Sequence, residues 1–348
     1  MANKLHLLTP KIDFMLIGGL AIFTYILCLG ITYFIEINLI WQAELAYWAL
    51  ILAFFVNSPH FLISYLIFYK ENKIKLLKIN IYSFVGLFIP FVLMVIIFLG
   101  LISLKSIFFK YLLLLMFFLV GWHYIKQAYG CFIVYSAGNK SYYNKLEQNI
   151  IKLSLYPLWI FSFFNIFTYE STQDYWGFKY EFSSVLLDFK FYMGWFSIIG
   201  LALLISMFAH RIFLKKKTVN IVALTSLIVI FIWLSPLLYN PYYFLIIPFF
   251  HSLQYFLFSG AYTKNKIIKE ENKRLEFFKW WGIAFILGAL MFDFLPKFLD
   301  SVILVENGIT PNLFLLSFIL FINIHHYFID SVIWKGTNKD VRENLVFK

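Results

Sequence analysis

The chain has 348 residues, of which 62% are hydrophobic and only 14% charged, with 44 Phe and 23 Tyr. Soluble proteins are about 45–50% apolar and roughly 25% charged; this composition cannot cover a water-facing surface and excludes a soluble globular domain. The net charge of +11 is not a nucleic-acid signature, because its lysines fall in short connections between apolar runs, where basic residues orient a membrane protein.

A membrane-spanning helix needs about 20 mostly apolar residues. Ten stretches qualify: 13–35, 45–69, 80–103, 108–137, 149–168, 191–213, 219–239, 241–262, 280–299 and 312–334. The expected fold is all-α, a polytopic bundle of about ten transmembrane helices forming one domain over residues 1–348. The first span is too long for a signal peptide, lacks a small-residue cleavage site, and is read as retained. Asn240-Pro241 separates spans seven and eight. Pro59, Pro90, Pro157, Pro236 and Pro248 lie within or near span ends, where neighbouring helices satisfy the carbonyls they free. Asn57-Ser58-Pro59 predicts a kink that opens the bundle. Cys28 and Cys131 lie in apolar runs and offer neither a disulfide framework nor a zinc pattern.

The connections give an orientation. One set of loops, with the two tails, holds 23 basic residues, from Lys4 and Lys11 to Arg342 and Lys348; the opposite set holds five, Lys105, Lys110, Lys179, Lys190 and Lys297. That asymmetry predicts a multi-pass protein of the inner (cytoplasmic) membrane with both termini cytoplasmic. The longest outer loop, about 169–190, carries Glu170, Asp174, Tyr175, Trp176, Glu181 and Asp188 and suits an interfacial cap or a short re-entrant piece.

Chemistry concentrates in the histidines. His6 lies in the N-terminal tail, and His210 precedes Arg211 at a basic helix end. The remaining five are His60, His123, His251, His325 and His326. They fall on spans two, four, eight and ten, which all run in the same direction. The first basic loop residue follows 9 to 17 positions later, placing the imidazoles roughly 14–26 Å above the lysines at 1.5 Å per residue. Four of them also have a polar residue four positions on, and therefore on their own helix face: Ser64 after His60, Gln127 after His123, Tyr255 after His251 and Asp330 after His326. Ionisable groups inside a membrane span are costly and mark functional sites. Neutral imidazole is a common ligand for zinc, iron and copper.

These features predict a metal site with His60, His123, His251 and His326 as ligands and His325 as a fifth candidate. Adjacent helical residues point about 100° apart, and Asp330 lies on the face of His326, which favours His326 of the pair. Asp330, Gln127 and Tyr255 are the expected orienting or proton-handling residues. The bland alternative is that each histidine makes an ordinary interhelical hydrogen bond. Lys126, the lysine deepest within a span, is explained by snorkelling or, more sharply, by contact with a substrate carboxylate. Asp293 near the outer end of span nine reads as interfacial.

Gly121-Trp122-His123-Tyr124 with Gln127 and Gly130, and His325-His326-Tyr327-Phe328 with Asp330 and Trp334, resemble segments of uncharacterised bacterial polytopic membrane proteins. In strategy the chain is similar to the membrane carotenoid-cleaving dioxygenases, which hold iron by histidines from several spans. It lacks their paired histidines at i+4, and it lacks the HxxxH and HxxHH boxes of integral-membrane desaturases and hydroxylases. Together these readings predict a histidine-ligated metalloenzyme, with iron the favoured transition metal. It would be an oxidoreductase or oxygenase acting on a lipid, isoprenoid or carotenoid, with the bilayer, a lipophilic small molecule and an electron donor as partners. The alternative is a transporter or proton-coupled permease using the intramembrane His and Asp.

Overall fold

The computed structural model describes residues 6–34, 39–168, 174–267, 272–303, 310, 312–345 and 347. Lys4, Lys269 and Lys348 of the basic set, and Glu170 of the long outer loop, lie outside the described residues. Each of the ten apolar stretches coincides with a helix. They are α1 (Pro10–Phe34), α2 (Leu39–Glu71), α3 (Ile81–Ser103), α4 (Ser106–Gly138), α5 (Lys145–Thr168), α6 (Ser184–Leu214), α7 (Ile221–Leu234), α8 (Ile247–Ile267), α9 (Arg274–Val302) and α10 (Leu313–Ile333). A short helix, α11 (Lys339–Asn344), follows.

Among the described residues seven of these are long and apolar enough to cross a membrane: α1, α3, α4, α5, α6, α9 and α10. Two of the other three, α7 and α8, depart for visible reasons. α7 has 14 residues, about 21 Å at 1.5 Å per residue, short of a hydrocarbon core about 30 Å thick. Its residues from Val229 to Leu234 are all buried, as expected of an interior helix that is apolar all round. α8 is long, but His251, Ser252, Gln254 and Tyr255 dilute its apolar character. α2 runs unbroken through Pro59, so the proline does not end the helix.

Apolar side chains face outward as well as inward. On α3, Val85, Ile89, Leu93 and Ile97 are buried, while Phe84, Phe88, Phe91 and Phe98 are exposed on the opposite side. An outer face of that kind is stable in lipid rather than in water, where it would form a large apolar patch. The architecture is that of a multi-pass helical membrane protein.

Close approach between helices depends on two glycines in particular. A Cβ at Gly18 would lie 2.8 Å from Val229 Cγ2 and 3.0 Å from the Thr225 carbonyl oxygen, so α1 can press onto α7 only without a side chain there. A Cβ at Gly288 would lie 2.8 Å from the Ser58 carbonyl carbon, so α9 rests on the α2 backbone one turn before the Ser64–His60 face.

Both chain ends pack at Tyr135 near the end of α4. The buried Asp13 carboxylate accepts from the Leu7, Leu8 and Thr9 amides and, at 2.5 Å, from the Tyr135 hydroxyl. From the other terminus, Phe347 sets its ring 5.2 Å from that of Tyr135. α11 is tied to α8 by the Tyr262 hydroxyl donating to Asp340 and by Asn265 donating to the Asn344 carbonyl at 2.9 Å. Arg211, read from sequence as a basic loop residue, is buried: it pairs with Glu147 at 3.1 Å and lies over the Tyr143 ring. His210 beside it is exposed, as a helix-end histidine should be.

The long outer loop forms a two-stranded ribbon, Asp174–Tyr175 with Phe178–Lys179. Trp176 and Gly177 turn it with φ of 58° and 81°, the two positive values a tight hairpin needs. Phe178 and Tyr180 are buried, and the Tyr180 hydroxyl donates to the Lys110 carbonyl at 3.2 Å, so this piece caps α4 and α5. Asp293 lies in a π-helical turn and pairs with Lys297.

Candidate metal centre

Four helices supply one imidazole each: His60 from α2, His123 from α4, His251 from α8 and His326 from α10. All four are buried, and one ligand-type nitrogen from each lies within 4.8 Å of the others. Residues beside the histidines on α2, α4, α8 and α10, among them Asn57, Tyr124, Pro248 and Asn323, line a common cavity.

The distances fit coordination geometry. The Nε2 atoms of His123 and His251 are 3.1 Å apart. Two nitrogens bound at about 2.0–2.1 Å to one ion are separated by roughly 2.9 Å at a right angle and about 3.3 Å at a tetrahedral angle. The Oδ2 atom of Asp330 is 3.3 Å from His326 Nε2 and 3.8 Å from His123 Nε2, the position of a neighbouring ligand on the same sphere. The 4.8 Å limit on the nitrogen pairs exceeds the span across one ion, about 4.1 Å, by about 0.7 Å, which small side-chain rotations close.

The hydrogen bonds around His60 determine its tautomer. Its Nδ1 lies 3.0 Å from Ser252 Oγ, and the Ser252 hydroxyl gives its one hydrogen to Asn57 Oδ1 at 2.5 Å. Ser252 must then accept, so Nδ1 carries the proton and Nε2 presents a bare lone pair. Metal-ligating histidines usually hold their second nitrogen in this way. Ser252 was not anticipated as a site residue, and Asn57 was read only as part of a kink. Asn57 lies three positions before His60 on the same face, so the spacing rule that found Ser64 also reaches it.

Buried polar atoms without partners gather here. Among the described residues, His60 Nε2, His251 Nδ1, both nitrogens of His326 and Asp330 Oδ1 have no hydrogen-bond partner. Each such group costs about 1–3 kcal/mol to bury unsatisfied, so five together amount to about 5–15 kcal/mol, the size of a whole protein's stability. A cation among them converts several of these losses into bonds. The donor set, neutral imidazoles with one carboxylate, is suited to a transition metal, and the carboxylate offsets part of the charge in a low-dielectric interior.

The other expected residues separate into distinct places. Tyr255 lies against the cluster, its ring centroid 4.2 Å from that of His60, and its hydroxyl accepts from Ser64 at 2.6 Å. Gln127 does not face the imidazole nitrogens. It donates to the His251 main-chain carbonyl at 3.0 Å and to Gln254 at 3.1 Å, and Gln254 in turn donates to the Ile17 carbonyl. Its contribution is to hold α8 against α4 and α1.

His325 does not join the group. Its Nε2 lies 2.9 Å from the Val85 carbonyl and its Nδ1 2.9 Å from the Tyr65 hydroxyl. A carbonyl only accepts, so Nε2 carries the proton and Nδ1 accepts from Tyr65, leaving no nitrogen free. His325 is the interhelical hydrogen-bonding residue that was the bland alternative for all five. Lys126 is exposed, its ammonium 4.2 Å above the Trp122 ring, which matches snorkelling. Cys28 and Cys131 are buried free thiols.

No protein-family model, curated protein or solved structure matches this chain. The cavity beside it encloses about 190 Å³ and reaches His251 between α2, α4, α8 and α10, with mostly apolar walls including Phe61, Met116, Ile247 and Leu234.

Proposed function

We propose that this chain is a membrane-embedded, histidine-ligated metalloenzyme, an iron-dependent oxidoreductase or oxygenase acting on a lipid or isoprenoid molecule. The observation that carries the reading is four buried imidazoles from four helices with ligand nitrogens within 4.8 Å, beside a carboxylate and an apolar cavity. Iron is favoured over zinc by the ligand count. Four histidines already saturate zinc's usual tetrahedral site, whereas four histidines with Asp330 leave one position open on a six-coordinate ion. Iron held there would supply redox chemistry and one open coordination position.

The protein's own groups do the rest. The Asn57–Ser252–His60 chain holds the His60 ring in the tautomer that ligates. Asp330 lowers the net charge of the centre, and Tyr255 with Ser64 offers exchangeable hydrogens beside it. The apolar walls exclude water and hold an aliphatic chain at the cluster. An electron donor would approach from the basic side, which the 23-to-5 asymmetry assigns to the cytoplasm, together with both termini, in a cytoplasmic membrane.

A proton-coupled carrier would use the same imidazoles and carboxylate. The cavity favours the enzyme, since an ion carrier has no use for an apolar chain pocket ending at its ligands. Metal analysis of protein purified in detergent tests the reading. The wild type is expected to hold about one iron per chain by the single-cluster geometry, and His123→Ala and His326→Ala are expected to lose it. A metal-free wild type, or unchanged metal in both variants, refutes it. Substrate-dependent proton uptake by reconstituted vesicles would favour the carrier.

A further inference from the structure

Besides His251 itself, two residues lining the cavity carry hydrogen-bond donors that the protein does not use. Tyr124, 9% exposed, lines it with its ring centroid 4.6 Å from that of His251. Its hydroxyl has no hydrogen-bond partner among the described residues. Asn57 also lines the cavity. Its Oδ1 accepts from Ser252, while its amide nitrogen has no partner among the described residues. Polar groups in an apolar cavity are the few features that orient a ligand there.

The chemistry of the occupant follows from what these groups are. Asn57's acceptor is already engaged, so Asn57 and Tyr124 both offer hydrogens, and a ligand oxygen must accept them. None of the described lining side chains is charged, which disfavours a carboxylate or phosphate. A carbonyl oxygen has two lone pairs and no hydrogen of its own, and suits two donors. Size narrows the ligand further. About 190 Å³ is less than the approximately 300–1,000 Å³ of a site that encloses a whole drug-sized molecule. The cavity thus takes one end of a chain whose remainder lies between the helices or in lipid.

We infer that the cavity binds the carbonyl end of a single long aliphatic chain, an aldehyde or ketone, with its oxygen held by Tyr124 and Asn57 beside the histidine cluster. That this ligand is the substrate rests on the metalloenzyme reading; that it binds does not. The test is equilibrium binding of a labelled long-chain methyl ketone to the full chain in detergent, against the matching alkane and fatty acid. Metal content is measured on the same samples, so failure of either reading is visible separately.

The ketone is expected to bind more tightly than either comparison compound. Tyr124→Phe should weaken ketone binding about 3–10-fold, the loss of one neutral hydrogen bond, while leaving alkane binding and metal content unchanged. Val120→Trp, which fills the cavity, should abolish binding. Equal binding of ketone and alkane, tighter binding of the fatty acid, or an unaffected Tyr124→Phe variant overturns the inference. Tyr124→Phe keeps the ring and its packing, so the comparison survives if Val120→Trp fails to fold.

Discussion

Ser252→Ala isolates the hydrogen-bonded support of the cluster from the ligands themselves. Ser252 is fully buried, and its Oγ is the only acceptor for His60 Nδ1–H among the described residues, at 3.0 Å. Without the hydroxyl, that N–H is buried with no partner and the His60 ring can turn away from the site. The loss of a buried partner costs about 1–3 kcal/mol. Independently, removing the partner behind a ligating histidine typically costs about 10–100-fold in metal affinity, or about 1.4–2.8 kcal/mol. The two estimates agree, and the expected outcome is metal affinity weakened about 10–100-fold in a folded protein. Metal content titrated against a graded chelator measures it, with size-exclusion behaviour reporting the fold. Ser252→Thr keeps a hydroxyl and should retain most of the affinity. If Ser252→Ala binds metal within about twofold of wild type while His60→Ala loses it, the assigned tautomer and the Ser252 bond are not what holds His60, and the reasoning fails.

Other consequences follow from named contacts. His325→Gln should leave metal content unchanged, because both His325 nitrogens are used on Val85 and Tyr65, whereas His326→Gln should lower it sharply; the reverse pattern in metal analysis would exchange their roles. Asp330→Asn keeps the shape but removes the charge, and is expected to reduce occupancy by a dication at limiting metal while the melting temperature stays close to wild type. Gly288→Ala sets a Cβ 2.8 Å from the Ser58 carbonyl carbon, where backbone cannot yield, and should destabilise by about 1–3 kcal/mol, read as a lower melting temperature in detergent. Asp13→Ala removes a carboxylate that accepts from three amides and Tyr135, at about 1.5–3 kcal/mol for a charge-assisted bond. Faster proteolysis ahead of α1 checks that expectation.

Much of this site can be read along single helices. The i+4 rule places Asp330 under His326 and Tyr255 after His251, and it separates His326 from His325, since neighbours on a helix point about 100° apart. Local periodicity does not report which residue lies across a helix interface. The Ser252 support and the Val85 carbonyl that engages His325 therefore emerge only from packing. The same limit applies to Gln127: its place on the His123 face is evident, but its partner is a main-chain carbonyl, which no side-chain pattern encodes.

By itself, the sequence determined the medium and the candidates: ten apolar helical segments, too few charges for a water-facing surface, and five histidines on four of those segments. Those are one-dimensional properties of composition and spacing. Tertiary structure decided that four of the five imidazoles converge and the fifth does not, that a carboxylate joins them, and that an apolar cavity with two unused donors ends at His251. The physical reason is that convergence depends on how closely helix backbones approach, as at Gly288 against Ser58 and Gly18 against Thr225. Only the assembled bundle fixes those separations.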